Sequence, residues 1–475
     1  MKYNTLVLFT TIIILVIFTG SSPAYADYML SDESTGSTKR ITIPNLYEAV
    51  KETYLFGEAG TLKNPMDLFI DKADNIYIAD TGNNRIVKLN PDMSLNSIYG
   101  DNFGLGLNKP EGVFVEFDGD IYIADTENKR ILHITPEGTI VEEFFEPKSE
   151  MLSSGYTEFK PKKLYISNTG YLYLIRQYML MSIDGNNEFK GFIASSNVRI
   201  SASDILLRIF YTSEQKAKLT KLVPESFLNF LIADDGMIYG TTLTDKAQIK
   251  KINGIGKNIY PEDKVYGEKS IDTRGKQPIV RNPELVDIAV DKEGIITVID
   301  KYTNNLYQYD LDGNNIGVFG GPGSDKGQFK FPSSLAVNNK GNIFVLDREK
   351  QSIQMFQPTE YCMNIHAALS KYYKGRYVEA VEEWEKVQKM HEGNPIVHSG
   401  LGKALYKQGK YKEAMEHYRI ADDREGYSAA FNEYRLELLR KKFTIIVLSF
   451  AVLLAALSKI IKLLKSFSEK EFEIF

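Results

Sequence analysis

Cysteine and histidine are scarce in this chain. Cys362 is the single cysteine in 475 residues, so no disulfide forms within it. A chain of this length buries enough apolar surface to fold without one. Of the five histidines only His133 precedes residue 357, which excludes a multi-histidine metal centre from that part. Positive charge is not in excess either. The 57 Lys and Arg face 62 Asp and Glu, a formal net charge of −5, and nucleic acid selects a basic footprint instead. Gly-x-Ser-x-Gly, His-Glu-x-x-His and a phosphate-cradling loop ending in Gly-Lys-Ser/Thr are all missing. What remains is ordinary globular composition, 43 % hydrophobic and 25 % charged, in a length that suits two or three domains.

The most informative feature present is a repeat. IYIADT occurs at Ile76–Thr81 and again at Ile121–Thr126, 45 residues on, and Pro65 with Pro110 and Arg85 with Arg130 keep the same spacing. That period fits one four-stranded blade of a β-propeller. Weaker copies follow. Blade three has Pro161 and Asn168–Ile175, and blade four has Leu231–Thr242. Blade five has Pro283 and Asp287–Asp300, and blade six has Pro332 and Leu335–Asp347. Short polar turns such as Asp118-Gly119 and Asp235-Gly236 separate the apolar runs, as hairpins require. Blade six lacks an outer strand of its own. The match of LFGEAG at Leu55–Gly60 to VFGGPG at Val318–Gly323 predicts that Tyr54–Phe56 supplies it and closes the ring.

Pro110, Gly112, Ile121, Tyr122, Ala124, Asp125, Asn128, Arg130 and Ile131 resemble the NHL repeat, over about residues 50–357. The resemblance implies a six-bladed propeller in which Asp80, Arg85, Asp125, Arg130, Asp300 and Asp347 join blades structurally. Blades three and four depart from the pattern: Arg176 stands at the Asp position, and neither copy has the Asn-x-Arg. Between them Tyr173 to Tyr239 spans 66 residues. The extra stretch, 195–226, has Ile205, Leu206, Ile209, Leu219 and Leu222 at helical spacing. It reads as a helix packed on the rim or as a lid or docking element.

After Pro358 the texture becomes helical. Ala367–Val387 returns 34 residues later, pairing Gly375 with Gly409, Tyr377 with Tyr411, Ala380 with Ala414 and Trp384 with Tyr418. These offsets resemble the tetratricopeptide repeat. Two repeats need a cap, and Ser428–Arg440 offers an apolar face for one, so residues 361–440 are read as the helical domain.

Both ends are apolar. Residues 1–26 run from Lys2 through Leu6–Phe18 to Ala24-Tyr25-Ala26, the pattern of a signal peptide cleaved after Ala26, with an uncleaved anchor as the alternative. Residues 27–49 read as a linker. Phe443–Leu457 carries no charge, and Lys459 and Lys462 extend the span to Leu464 by snorkelling. Residues 443–464 are therefore read as a transmembrane helix, a buried core helix being the alternative. One continuous helix is predicted from about Gly426 to Leu464. A cleaved signal followed by a stop-transfer segment places the propeller and the helical repeats outside the cell and the tail, 465–475, in the cytoplasm.

The fold class is thus an all-β six-bladed propeller, an all-α tetratricopeptide-like domain and one transmembrane helix. The function read from it is an exported, membrane-anchored binding scaffold, with no catalytic residues, metal or cofactor assigned. Its expected partner is a membrane-associated protein, for instance a transporter or surface complex, or a surface carbohydrate; nucleic acid is not expected. The alternative is a metal-dependent lactonase-like hydrolase. Asp67, Glu111 and Glu284 follow blade prolines and could form a carboxylate ring for Ca²⁺ or Mg²⁺, or simply solvated surface.

Overall fold

A computed structural model describes residues 25–32, 37–149, 152, 158–193, 225–272 and 277–472. The chain divides into two compact units, Met1–Met363 and Asn364–Phe475.

The first unit is a six-bladed β-propeller. Blade one is built from Asp67–Ile70, Ile76–Asp80, Arg85–Leu89 and Leu95–Tyr99, each strand antiparallel to the next. Blades two, three and five repeat this order from Pro110, Pro161 and Leu285. The first strand of each blade lies innermost, against the first strands of its neighbours. The second strand is wholly buried in five of the six blades, Ile76–Asp80 and Ile343–Asp347 among them. It is covered on both faces by adjacent blades, which explains why it reads as a continuous apolar run. The core is accordingly distributed between blades. One cluster joins Leu68, Ile78 and Val87 of blade one to Phe344 and Leu346 of blade six, and another joins Ala79 and Ile86 to Val113 and Ile123 of blade two.

Ring closure differs from the sequence expectation. The fourth strand of blade six is Tyr47–Thr53, which pairs with Ser352–Pro358 from Pro358↔Tyr47 to Ile353↔Thr53. It ends before Tyr54. The expected residues, Tyr54–Phe56, lie just past it, and the Phe56 amide already turns back to the Gly60 carbonyl. The two motifs are therefore not equivalent: Val318–Gly320 end the fourth strand of blade five, whereas Leu55–Gly60 lie in the loop after the closing strand, which sits upstream. Its sequence, YEAVKET, hid it: an outermost strand covers only one face and tolerates charge on the other. Leu46, fully buried, anchors its start so closely that a side chain at Gly317 of blade five would meet Leu46 Cδ1 at 2.2 Å.

The described residues of the stretch expected as a linker, 27–49, include strands. Tyr25–Asp32 pairs antiparallel with Ser37–Pro44, and the closing strand follows at once. Thr38, Ile41, Thr42 and Ile43 are β-branched, which suits an extended backbone. Of the predicted insertion, 195–226, only Glu225 and Ser226 fall within the described residues, Ser226 bridging to Met179. Nearly all of the predicted signal peptide likewise lies outside them.

The second unit is helical. Helix α1 (Glu360–Tyr373) begins just before it. Then come α2 (Tyr377–Met390), α3 (Pro395–Lys407), α4 (Tyr411–Ile420) and α5 (Arg424–Phe472). Gly375 and Gly409 end α1 and α3 with φ of 76° each, a conformation that glycine adopts without strain. Tyr377 and Tyr411 open the next helices and lie against Tyr372 and Tyr406, ring centroids 5.5 Å apart in both pairs. Ala380 and Ala414 are fully buried. Helix α5 is unbroken and continues past Leu464 through part of the predicted tail. Its stretch to Leu464 is long and apolar enough to cross a membrane, with a mean hydropathy of 2.4 in its most apolar window, none of which is buried.

Removing the closing strand should unfasten the ring. A chain starting at Tyr54 is expected to melt on the order of 10 °C below one starting at Asn45. Differential scanning calorimetry of both, in the same detergent, checks this; equal midpoints would show that the strand is dispensable.

Candidate functional site: the propeller axis and its loop face

Each first strand directs one residue to the same level on the propeller axis. In blade order these are Asp67, Gly112, Lys163, Asn229, Asp287 and Ser334, aligned by their equivalent positions opposite the second strands. Asp67, Asp287 and Ser334 are buried. Lys163 Nζ donates to Asp67 Oδ1 at 2.5 Å, and Asp67 Oδ2 accepts from the Val113 amide at 3.0 Å. Ser334 Oγ donates to Asp287 Oδ2 at 2.5 Å and accepts from the Leu68 amide at 3.1 Å. Asp287 also takes the Leu335 and Ile288 amides, both at 2.7 Å. The result is a chain of hydrogen bonds through blades five, six, one, two and three. Blade four stands outside it: Asn229 Oδ1 accepts from its neighbour Phe230 N, and the buried Thr241 Oγ1 has no hydrogen-bond partner among the described residues. Gly112 leaves room for this tight axis, since a Cβ there would lie 2.1 Å from the Lys162 carbonyl oxygen.

The electrostatics follow from burial and pairing. Burial opposes the Lys163 ammonium, but Asp67 and Asp287 outweigh it and raise its pKa above the ordinary lysine value. Burial pushes the Asp287 carboxyl up to about 6, against the opposing pull of Lys163. Lys163 thus occupies the axial position with a cation of its own. Below the polar level, two residues on in each strand, Phe69, Phe114 and Tyr165 pack ring to ring at 5.0 and 4.5 Å.

The three carboxylates considered for a metal do not converge. Asp67 sits in the axial ring, Glu111 pairs with Lys162 at 3.2 Å, and Glu284 pairs with Lys301 at 2.6 Å and accepts from Tyr302 Oη at 2.8 Å. Among the described residues no group of three or more His, Cys, Asp or Glu is placed to hold a metal ion. Asp67 and Glu284 differ in depth because Pro283 lies two residues before its counterparts: Leu285, not Pro283, stands opposite Asp300. Proline spacing alone could not reveal that offset.

The repeat residues lie at the ends of second strands, on the loop face. Asp80, fully buried, accepts from the Lys63 amide, Asn83 Nδ2 and Arg85 Nε at 2.7–2.9 Å, and Arg85 Nη2 reaches the Ala59 carbonyl. Asp125 and Arg130 repeat this with Asn108, Asn128 and Leu105. Asp300 takes the Glu284 amide and Thr303 Oγ1, and Asp347 takes the Lys330 and Lys350 amides. The adjacent hydroxyls span neighbouring blades: Thr81 Oγ1 donates to the Pro110 carbonyl at 2.6 Å, Thr126 Oγ1 to Pro161 at 2.7 Å and Ser333 Oγ to Pro65 at 3.0 Å. In blade three Arg176 pairs with Glu146 at 2.7 Å instead, and in blade four Thr242 turns to Thr244. Sequence reasoning missed the axial ring. No single residue type runs through its members, and what links them is a common register opposite the second strands, which the proline spacing marks in only four of the six blades.

Two outcomes are expected. Asp67→Ala leaves Lys163 without its near partner and should cost about 3–5 kcal/mol, while Asp67→Leu combined with Lys163→Leu restores most of it; urea unfolding measures both. Asp287, with its folded pKa raised from 3.8 to about 6, contributes stability below pH 4 that is lost as pH rises through 6. The stability difference between the native chain and Asp287→Asn should therefore fall between pH 4 and 6 and then level off. A flat difference would mean that Asp287 is not perturbed.

Comparison with known proteins agrees with the fold. The NHL repeat family profile matches residues 329–356, in blade six. Among solved structures the chain is similar to a streptogramin B lyase, at 14 % identity and TM-score 0.39, covering 71 % of this chain and 95 % of that one. It is similar also to a virginiamycin B lyase from Staphylococcus aureus, at 14 % and 0.37, covering 66 % and 89 %. The WD40 propeller domain of Doa1 matches at 10 % and 0.40, covering 66 % and 98 %. Propellers of enzymes and of a WD40 domain are thus both among the similar structures, and likenesses this distant carry no argument about activity. The protein is a six-bladed β-propeller with an NHL repeat in its last blade, followed by five helices of which the last is a possible membrane span.

Proposed function

We propose that the protein is a non-enzymatic binding scaffold held at a membrane by α5, with the propeller and helical region exported and the short tail inside. The observation that carries this reading is the engagement of the axis. The carboxylates that an axial reaction centre would use are already bonded to Lys163, Ser334 and backbone amides. Asp80, Arg85, Asp125, Arg130, Asp300 and Asp347 are then blade-joining residues, and the surface that remains is for recognition. The helical region supports the same reading. Its 34-residue period, with Trp384 packed on Gly400 and Tyr418 on Gly402 and Gly426, resembles tetratricopeptide repeats, which bind protein segments. Helix α5 supports membrane attachment, because Phe443, Leu448, Val452, Ile460 and Leu464 are exposed and lipid would cover them. Tethering raises the effective concentration of two recognition modules near a membrane-bound protein partner. A surface carbohydrate is the other ligand that this placement allows.

Cross-linking intact membranes and extracting them in mild detergent should recover a stable complex through the region before Arg440. Recovery of the lone chain under several detergents would count against the scaffold. Protease added to intact cells should digest the propeller; its survival there would overturn the proposed orientation.

A further inference from the structure

The seams between blades are not alike. At blades one and two the loop after the second strand is tied to the next blade by Thr81 and Thr126, and Ser333 ties blade six to blade one. Among the described residues the blade-four loop makes no such hydroxyl-to-carbonyl tie, and it reaches blade five only through the exposed Asp245, which accepts from Asn282 Nδ2. Thr242 holds the position of Asp80 and bonds to Thr244 within its own loop. Blade four also has three strands where the other blades have four, and it is left out of the axial hydrogen-bond chain. The seam between blades four and five opens as a cleft of about 320 Å³.

Its lining has a definite chemistry. One wall is aliphatic: Leu243, Ile279 and Val280 are 45 %, 53 % and 62 % exposed. The charged groups beside it are mostly neutralised in place. Arg281 pairs with Asp272 at 2.9 Å and lies 5.2 Å from the Tyr302 ring, and Glu284 is held by Lys301 and Tyr302. Asp245 is different. It is exposed, its Oδ1 accepts from Asn282 Nδ2 at 2.7 Å, and among the described residues it forms no ion pair. The cleft therefore presents an uncovered aliphatic wall beside one uncompensated carboxylate, in a volume that suits a few side chains.

We propose that this cleft is a docking site for a peptide segment of a protein partner that carries an aliphatic residue next to a lysine or arginine. The aliphatic side chain covers Leu243, Ile279 and Val280, and the cation pairs with Asp245. An acidic or purely polar segment satisfies neither. The inference rests on the scaffold reading and gives that partner a chemistry.

The test uses the full-length chain in detergent and three short capped peptides, Gly-Ile-Lys-Gly, Gly-Ile-Glu-Gly and Gly-Ser-Lys-Gly, titrated by NMR with the chain's isoleucine and valine methyls labelled. Only the first should shift the Ile279 and Val280 methyls in a saturable way. Its affinity should drop by up to about fivefold in Asp245→Asn, the upper end of the range for one exposed ion pair, and be lost in Val280→Lys. Both positions are exposed, so folding is expected to survive; the remaining methyl spectrum reports it. Equal shifts from the acidic peptide, no shift from any peptide, or unchanged affinity in both variants would overturn the proposal. Membrane co-extraction with the same variants separates the two readings. A complex that persists in Asp245→Asn and Val280→Lys keeps the scaffold and removes this cleft, whereas no complex from the native chain removes the scaffold.

Discussion

A ring of six sheets has to be closed, and the junction between the last blade and the first governs the rest of this propeller. An unclosed ring exposes an unpaired strand edge and a slab of apolar core. Here the junction is fastened twice. On the perimeter Tyr47–Thr53 completes the sheet that Ser352–Pro358 would otherwise leave open. At the axis Ser334 accepts from Leu68 of blade one while donating to Asp287 of blade five, and Ser333 reaches the Pro65 carbonyl. The apolar cluster shared by blades one and six then packs between two fixed edges.

The axial charges make sense in that setting. A buried ion pair contributes little net stability against an apolar substitute, yet losing one member is costly. Lys163 and Asp67 sit on blades three and one with Gly112 of blade two between them, so their bond fixes the relative position of three sheets. What the pair contributes is register around the ring. The same bonds occupy the groups that could otherwise hold a ligand on the axis, which moves recognition outward to the loops. Blade four is where the axial hydrogen-bond chain stops, although Phe227 N still donates to the Tyr178 carbonyl of blade three and Tyr260 Oη to the Leu311 carbonyl of blade five, and the seam beside it is where the surface opens.

Much of this architecture was legible in the sequence, for reasons that particular residues show. IYIADT declared itself twice because a fully buried second strand and its terminal Asp leave little freedom of residue type. The 34-residue spacing of Gly375 and Gly409 was visible because both must adopt a left-handed backbone at the same point of two helix pairs. The long terminal helix was visible because nothing interrupts its apolar run. The closing strand was misplaced by a few residues, since the exposed Glu48 and Lys51, and Glu52 in its buried pair with Lys350, mask the alternation while the neighbouring loop carries the conspicuous glycines. The axial ring was illegible for a different reason. Its six residues interact across blades, so their identities are complementary and no repeat of letters marks them.

The axial chain and the closing strand fasten blade six to blade one, and the axial chain leaves out blade four, the side on which the docking cleft is proposed. Native-state amide hydrogen exchange on the full-length chain measures this directly. Strands Phe227–Ile232 and Ile249–Ile252 of blade four should exchange through an opening about 2 kcal/mol or more below that of Ile76–Asp80 and Ile343–Asp347. Uniform protection across all six second strands, with blade four as slow as blades one and six, would contradict it.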